Sequence, residues 1–238
     1  MESDLRDGHF LYLDNFPEES RLKTIAQLRN GMLYIEQLHT LEEGMPIRIP
    51  SGMIHHWIGI AFMPRVTLNQ TLAILLDYRR QEEIYKPDIR KSRLLARDGN
   101  KSKLYLQLFK KSMVTVVYNA EFDVDFHMLS KTRAETTSVS TRIAEVQNPG
   151  TPQEHELPIG NDHGYLWRLN THWRIEEKDG GVYIQVESVA LSRRIPPVFT
   201  WFVAPAIRKL SYDVVANLLT QTHNAVKNSY RASAESDK

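Results

Sequence analysis

The sequence contains no cysteine. Disulfide bonds, thiolate metal sites and cysteine nucleophiles are therefore excluded. It also lacks an excess of charge of one sign, because 30 Lys and Arg residues against 29 Asp and Glu residues give a formal net charge of +1. This balance argues against a nucleic acid as the main partner. No run of apolar residues approaches the roughly 18 that a membrane-spanning helix needs, so we expect no integral membrane segment.

Several short catalytic motifs are missing as well. The chain has no G-x-S-x-G, P-loop, G-x-G-x-x-G or H-E-x-x-H sequence. Nucleophilic, phosphoryl-transfer and dinucleotide chemistry thus lack support, and we predict neither a metal ion nor a cofactor. The first residues, MESDLRDGHFLYLDNF, lack the basic start and apolar run of a signal peptide. We expect a soluble protein, cytoplasmic as written, or exported if a leader preceded it.

The composition is that of a globular protein of 238 residues, 42% hydrophobic and 25% charged. Residues 1–50 are interpreted as an N-terminal extension that packs on the main domain. Within it, PEESRLKTIAQLRNG predicts a helix and MLYIEQLHT a short strand. Residues 51–230 are expected to form the main domain, and residues 231–238 a disordered tail.

The main domain begins with a strand, MIHHWIGIAFM, followed by two helices. The first is TLNQTLAILLDY, with Thr67 as its cap, and the second is RRQEEIYKP. A run of strands follows, in which Asp98-Gly99-Asn100 and Asp179-Gly180-Gly181 mark hairpin turns. After Pro196-Pro197, apolar residues recur at the spacing of a long amphipathic helix.

Most of the strands alternate between apolar and polar residues. In YLWRLNTHWRIEEK, for example, the aromatic and apolar positions all fall on one face of the strand. The fold class predicted is therefore α+β, with an antiparallel sheet of about seven strands in the order β-α-α-β6-α. The long C-terminal α-helix would cover one face of this sheet, and the other face would be mostly in contact with water.

The element order resembles the helix-grip fold of the START-like superfamily, which includes lipid-transfer domains and polyketide cyclase/dehydrase-like (SRPBCC-type) proteins. The segment TLAILLDYRRQEEIYKPDIRKSRLLARDGN looks like that family's strand-helix-helix-strand entry, and WRIEEKDGGVYIQVES looks like its penultimate hairpin. The resemblance covers roughly Ile54 to Asn228 and leaves out the first fifty residues. It implies a strongly curved sheet that grips the last helix, with a cavity for an apolar or amphipathic small molecule between them.

On this resemblance, the ligand-binding candidates are the residues expected on the inner face of the sheet and on the buried side of the last helix. They are Val116, Tyr118, Phe122, Arg142, Trp167, Leu169, Trp173, Ile184, Ile207, Leu210, Val214 and Leu218. Each apolar member could equally be plain core, since an aromatic strand face usually packs solidly.

Three polar residues are weak catalytic candidates. Arg142 would anchor a ligand carboxylate or hydroxyl if it shares the inner face with neighbouring Ser and Thr residues, and would be exposed in the opposite register. His163, beside Asp162, could transfer protons or simply form part of a turn. His56 adjoins His55, but neighbours on a strand point to opposite faces, so the two cannot easily share a metal.

Three functions follow as hypotheses. The first is binding or transport of a hydrophobic small molecule such as a lipid, a fatty acid or a polycyclic metabolite, without catalysis. The second is a cyclase/dehydratase-like lyase that uses the sparse polar residues of the same cavity. The third is a protein-interaction module, in which residues 1–50 or the Trp201-Phe202 region would contact an unknown partner.

Overall fold

The structure, a computed structural model, describes residues 9–111, 115–194 and 197–236; in the last helix it describes the side chains of residues 205–229. Pro196 and the side chains of Trp201 and Phe202, which the sequence analysis singled out, lie outside the described residues. No helix in the described ranges is both long enough and apolar enough to cross a membrane.

The elements follow the predicted order. The helices are α1 (Glu18–Arg29), α2 (Leu68–Leu75), α3 (Gln81–Ile84) and α4 (Pro197–Ser236). The strands are β1 (Tyr34–Leu38), β2 (Leu41–Glu42), β3 (Met45–Pro46), β4 (Gly52–Pro64), β5 (Ile89–Asp98), β6 (Lys101–Lys111), β7 (Thr115–Met128), β8 (Arg133–Gln147), β9 (His155–Glu156), β10 (Arg168–Lys178) and β11 (Gly181–Arg193). Helix α4 continues through 231–236, a stretch expected from the sequence to be a disordered tail.

A curved antiparallel sheet of nine strands forms the body of the protein. Its order is β1-β4-β11-β10-β8-β7-β6-β5, and the short β9 pairs with β8. The two predicted turns join β5 to β6 and β10 to β11. At the second turn Asp179 and Gly180 both have positive φ, as a tight hairpin of the right twist requires. The strand count exceeds seven because β1 and β9 also join the sheet.

Strand β4 shows how the two faces of the sheet are divided. Trp57, Ala61 and Met63 belong to the core beneath α4, whereas Ile60 and Phe62, at alternate positions, belong to a second core on the outer face. Gly59 lies between Trp57 and Ala61 on the face toward α4. A Cβ atom at this position would come within 2.4 Å of Val215 and 2.8 Å of Leu219. Helix α4 thus packs directly against the backbone of the sheet at this glycine.

Helix α2 closes one end of the space between the sheet and α4. As the sequence predicts, it is capped by Thr67, whose hydroxyl accepts a hydrogen bond from the backbone N–H of Gln70 at 3.3 Å. Its residues Leu68, Leu72 and Leu75 are buried in the core. This end of the interior is therefore filled by side chains.

The outer face of the sheet differs from expectation, because part of it is covered. Residues 10–13 and Leu28 of α1 pack against Ile60, Phe62 and Tyr183. Two polar outer-face side chains are buried beneath this cover, and both meet the backbone of the extension. Gln185 accepts a hydrogen bond from the N–H of Tyr12 at 2.7 Å, and Arg174 donates one to the carbonyl of Phe10 at 3.2 Å. The N-terminal extension is therefore a third layer of the molecule.

Candidate functional site

The candidate site lies on the inner face of the sheet, at the end opposite α2. The antiparallel pairing brings the ends of β6, β8 and β11 together with the starts of β7, β10 and β4 at this end. Apolar inner-face residues here, such as Leu108, Val116 and Leu169, are only partly buried and pack on the edge of the core. Small-molecule sites are lined mainly by apolar side chains with a few polar groups, so we take this end as the candidate site.

The predicted apolar ligand residues divide into three groups. Tyr118, Phe122, Trp173 and Ile184 are buried members of the core. Val116, Leu169 and Leu218 are partly buried and pack against it. The remaining ones are partly buried but are not among the residues packed on that core: Trp167, Ile207, Leu210 and Val214.

The buried stripe of α4 is displaced from the predicted one. The most deeply buried positions are Val215, Leu219, Thr222 and Val226, which follow helical spacing. At 100° per residue, Ile207, Val214 and Leu218 lie roughly 70–110° around the helix from this stripe. Because the stripe packs on β4, these residues flank that contact and are not part of it.

Tyr118 is a predicted ligand residue that carries a hydroxyl group into the inner core. Its side chain is 5% exposed, and within the described residues its hydroxyl has no hydrogen-bond partner. Burial raises the pKa of this hydroxyl well above its ordinary value, and the nearby charges of Glu145 and Asp162 raise it further. The group is therefore a neutral phenol with an unused hydrogen-bond donor.

Glu145 lies directly opposite Tyr118 in the pairing of β7 with β8. Its buried carboxylate accepts two hydrogen bonds from His163, one from Nδ1 at 2.6 Å and one from the backbone N–H at 3.1 Å. The ring of Tyr165 stacks on the imidazole at 5.6 Å between centroids. A carboxylate bonded to Nδ1 selects the tautomer in which Nε2 carries the lone pair. In the described part of the chain nothing bonds to Nε2.

The turn before β10 holds His163 in place. Asp162 accepts a hydrogen bond from the N–H of Gly164 at 2.7 Å, the local bond that the turn hypothesis predicts. Gly164 has a φ of +75°, and a Cβ there would collide with Arg193. The turn and the proton-transfer hypotheses are therefore compatible, since the same turn presents the His163 ring to Glu145.

Arg142, by contrast, lies outside the site. The pairing of β7 with β8 shifts register so that Glu121 pairs with Arg142 and Phe122 with Ser140, which leaves Thr141 as an extra residue. The bulge explains how Ala134 and Ile143, an odd number of positions apart, can both face the core. Arg142 is half-exposed on the outer face and forms an ion pair with Glu156 of β9. Its prediction as a ligand anchor is corrected accordingly.

The two adjacent histidines point to opposite faces, as expected. His55 Nε2 lies 2.9 Å from the hydroxyl of Ser192, and burial lowers the pKa of its ring. His56 lies on the outer side, between Thr40 and Glu187. His56 is therefore not part of the interior. Among the described residues, no three His, Asp or Glu side chains are gathered as ligands for a metal ion.

Glu145 is the residue of the candidate site that the sequence analysis did not single out. Its segment RIAEV reads as a strand in which the acid alternates with Ala144 and Val146. Which of these faces inward depends on the bulge at Thr141, and no residue of that segment marks a bulge. An acid flanked by apolar residues was the only available signal.

No protein-family model matches this sequence, and no curated protein is significantly similar to it. Solved structures do resemble it. Human STARD10 is 9% identical, with a TM-score of 0.52 over 93% of this chain and 84% of that one. A STAR-related lipid transfer protein from Xanthomonas axonopodis is 12% identical, with a TM-score of 0.51 over 81% of this chain and 98% of that fragment. These likenesses confirm the predicted architecture: the chain has the helix-grip fold that these structures share.

Proposed function

We propose that the protein binds a hydrophobic or amphipathic small molecule between the inner face of the sheet and α4. One observation carries the proposal: the hydroxyl of Tyr118 is buried on the inner face of the sheet and has no hydrogen-bond partner among the described residues. A buried donor without a partner costs about 1–3 kcal/mol, and a ligand with a hydrogen-bond acceptor would remove that penalty. The Xanthomonas neighbour, described as a lipid transfer protein, supports the same ligand class through shared fold only.

The charges beside Tyr118 narrow the class of ligand. Glu145 and Asp162 raise the pKa of the Tyr118 phenol because they disfavour a negative charge there. A ligand carboxylate or phosphate at the same place would meet the same repulsion. The proposed ligand therefore carries a neutral polar end, such as a carbonyl or hydroxyl group, on an apolar body. Free fatty acids fit this site less well.

Extraction of the purified protein tests the proposal. Native mass spectrometry should show a bound adduct, and solvent extraction should release a neutral, largely apolar compound. In competition with the fluorescent dye N-phenyl-1-naphthylamine, hexadecan-1-ol should then bind with higher affinity than hexadecanoate. Absence of any adduct, together with no saturable binding of the dye or the alcohol, would refute the proposal.

The Tyr118→Phe variant links binding to the proposed residue. Removing the hydroxyl should weaken the binding of hexadecan-1-ol about tenfold, which corresponds to the loss of one hydrogen bond from a buried donor. Tyr105→Phe is the matched control, because the Tyr105 hydroxyl bonds to Asn119 at 2.7 Å, away from the core beneath α4. An equal effect of the two substitutions would mean that Tyr118 does not contact the ligand.

A second candidate function is lyase-type proton transfer, which the Glu145–His163 pair favours. A histidine oriented by a carboxylate is a suitable general base. Nε2 of His163 would take a proton from the carbon next to a ligand carbonyl. The C–H electron pair would form the carbon–carbon double bond, the carbonyl π pair would move to the oxygen to give an enolate, and Tyr118 would donate a hydrogen bond to that oxygen.

Deuterium exchange distinguishes this candidate from simple binding. In heavy water, the protein should speed deuterium incorporation next to the carbonyl of 1-tetralone, as measured by mass spectrometry. His163→Gln and Glu145→Gln should both abolish the acceleration. Exchange at the buffer rate with the unmodified protein would leave binding as the sole proposed function.

A further inference from the structure

A separate cavity of about 240 Å³ lies at the edge of the sheet, away from the interior beneath α4. Its walls come from residues 37–40, from residues 46–49, from the start of β4 and from Arg194. None of its lining residues belongs to the core beneath α4. Most of the wall is contributed by the N-terminal extension, the part of the chain that the resemblance to the START-like superfamily leaves out.

The cavity carries positive charge only. Among its 13 lining residues are two arginines and two histidines but neither Asp nor Glu. The Arg48 guanidinium is exposed and has no hydrogen bond or ion pair within the described residues. Within the described residues, the side chain of Arg194 donates two long hydrogen bonds, both of 3.4 Å, to the backbone carbonyls of Ile49 and Gly52. Both guanidinium groups thus retain donors for an anion.

His56 forms a fixed part of the lining. Its Nε2 lies 2.7 Å from Glu187 and its Nδ1 lies 3.0 Å from the Thr40 hydroxyl. The hydrogen bond with His56 lowers the pKa of Glu187, so this acid stays ionised and paired to the imidazole, outside the cavity lining. Both ring nitrogens are engaged, so His56 shapes the cavity rather than transferring protons.

The rest of the lining is largely apolar. Leu38, Pro46, Ile47, Ile49 and Ile54 contribute aliphatic surface beside the arginines. An apolar cavity of about 150 Å³ holds a benzene molecule, so the present volume admits a body of roughly six to ten carbon atoms. Apolar walls next to two guanidinium groups are complementary to a small organic acid and match a bare inorganic anion less well.

We propose that this cavity is a binding site for a small monocarboxylate with a compact apolar body. The carboxylate would lie between Arg48 and Arg194, since guanidinium groups bind carboxylates in a forked geometry. The apolar body would contact Leu38, Ile47 and Ile54. Because Arg48 belongs to the extension and Arg194 follows β11, the bound acid would join the extension to the strand that leads into α4. The site is independent of the interior site proposed above.

Calorimetric titration of the full-length chain tests the proposal with three matched probes. Hexanoate has both the charge and the apolar body, hexan-1-ol has the body alone, and acetate has the charge alone. Hexanoate should bind with a Kd of about 0.1–1 mM, and the other two at least about tenfold more weakly. Binding of hexanoate should also weaken as ionic strength rises.

Charge-removing variants then locate the site. Arg48→Gln and Arg194→Gln should each weaken the binding of hexanoate about tenfold. Since Arg48 has no partner in the described residues, its substitution removes charge without removing a structural hydrogen bond. Arg97→Gln, on the opposite edge of the sheet in β5, should change nothing. Prior saturation of the interior with hexadecan-1-ol should leave the titration unaltered.

Three results would each overturn the proposal. They are no saturable hexanoate binding, equal affinity for hexanoate and hexan-1-ol, or an affinity that neither Arg48→Gln nor Arg194→Gln alters. Loss of hexanoate binding on saturation with hexadecan-1-ol would also overturn it, because the acid would then occupy the interior.

Discussion

Two buried tyrosines of the inner core differ only in what their hydroxyl groups contact. The Tyr118 hydroxyl has no partner in the described residues, whereas the Tyr85 hydroxyl lies 3.0 Å from that of Thr222, and both groups are buried. Removing an unpartnered buried polar atom relieves a desolvation penalty, whereas removing a partnered one loses a hydrogen bond. The same substitution should therefore have opposite effects at the two sites.

We expect Tyr118→Phe to raise the free energy of unfolding by about 1 kcal/mol, and Tyr85→Phe to lower it by about the same amount. Urea denaturation of the ligand-free protein measures both changes. A loss of stability in Tyr118→Phe would show that the hydroxyl is satisfied in solution, and the reason for placing a ligand against it would disappear.

His55 makes stability depend on pH. Burial lowers its folded-state pKa, so between that value and the ordinary one near 6.5 the unfolded chain binds the proton more readily. The free energy of unfolding should therefore fall as pH decreases from about 7 towards 5. Burial lowers the pKa of His172 and His223 in the same direction.

Denaturation curves across this pH range, compared between the native chain and His55→Gln, isolate the contribution of one ring. In His55→Gln, the free energy of unfolding should depend less steeply on pH than in the native chain. In His155→Gln, at an exposed position, the pH dependence should be unchanged. An unchanged slope in His55→Gln would mean that the ring is open to solvent.

At the level of elements, the packing of α4 on β4 depends on the missing side chain at Gly59. A Cβ there would lie 2.4 Å from Cγ1 of Val215 and 2.8 Å from Cδ1 of Leu219. Gly59→Ala should thus force the helix away from the sheet and reduce the free energy of unfolding by about 1–3 kcal/mol. Double-mutant cycles by urea denaturation should give a coupling of at least about 0.5 kcal/mol with Val215→Ala. Additive effects would contradict this contact.

Elements with local signals were predictable from the sequence, and contacts set by distant segments were not. The cap at Thr67 and the turn at Asp179-Gly180 depend on neighbouring residues, and both occur as predicted. The inward face of β8 depends on an extra residue at Thr141 in its pairing with β7. That pairing placed Arg142 outside and Glu145 inside, so the candidate site could be predicted only in part.

The whole molecule is built as three layers: α4 with α2, the sheet, and the N-terminal extension. Alternation along β10 and β11 predicted a wet outer face, because Arg174 and Gln185 are polar. These two side chains are instead buried, and each meets the backbone of residues 10–12. A polar side chain on a strand requires a hydrogen-bond partner, but its position in the sequence does not show whether that partner is water or another segment of the chain. Sequence alternation alone could not distinguish the two.

If the extension is part of the cooperative fold, its buried residues should contribute as much to the free energy of unfolding as the buried residues under α4. Leu13 is fully buried against the outer face, and Ile184 is fully buried on the inner face. Leu13→Ala should therefore lower the free energy of unfolding by about 2–5 kcal/mol, as Ile184→Ala should. Both variants should still unfold in a single urea transition with coincident fluorescence and circular dichroism curves.

An extension that merely rests on the sheet would behave differently. Leu13→Ala would then leave the main transition unchanged, and a separate transition at low urea would report release of residues 9–30. The hydrogen bonds between the extension and the side chains of Gln185 and Arg174 argue against such independence. Release of the extension would expose Phe62 and Tyr183 and would break both hydrogen bonds. The extension, the outer face of the sheet and the cavity between residues 37–49 and Arg194 should consequently form and unfold together.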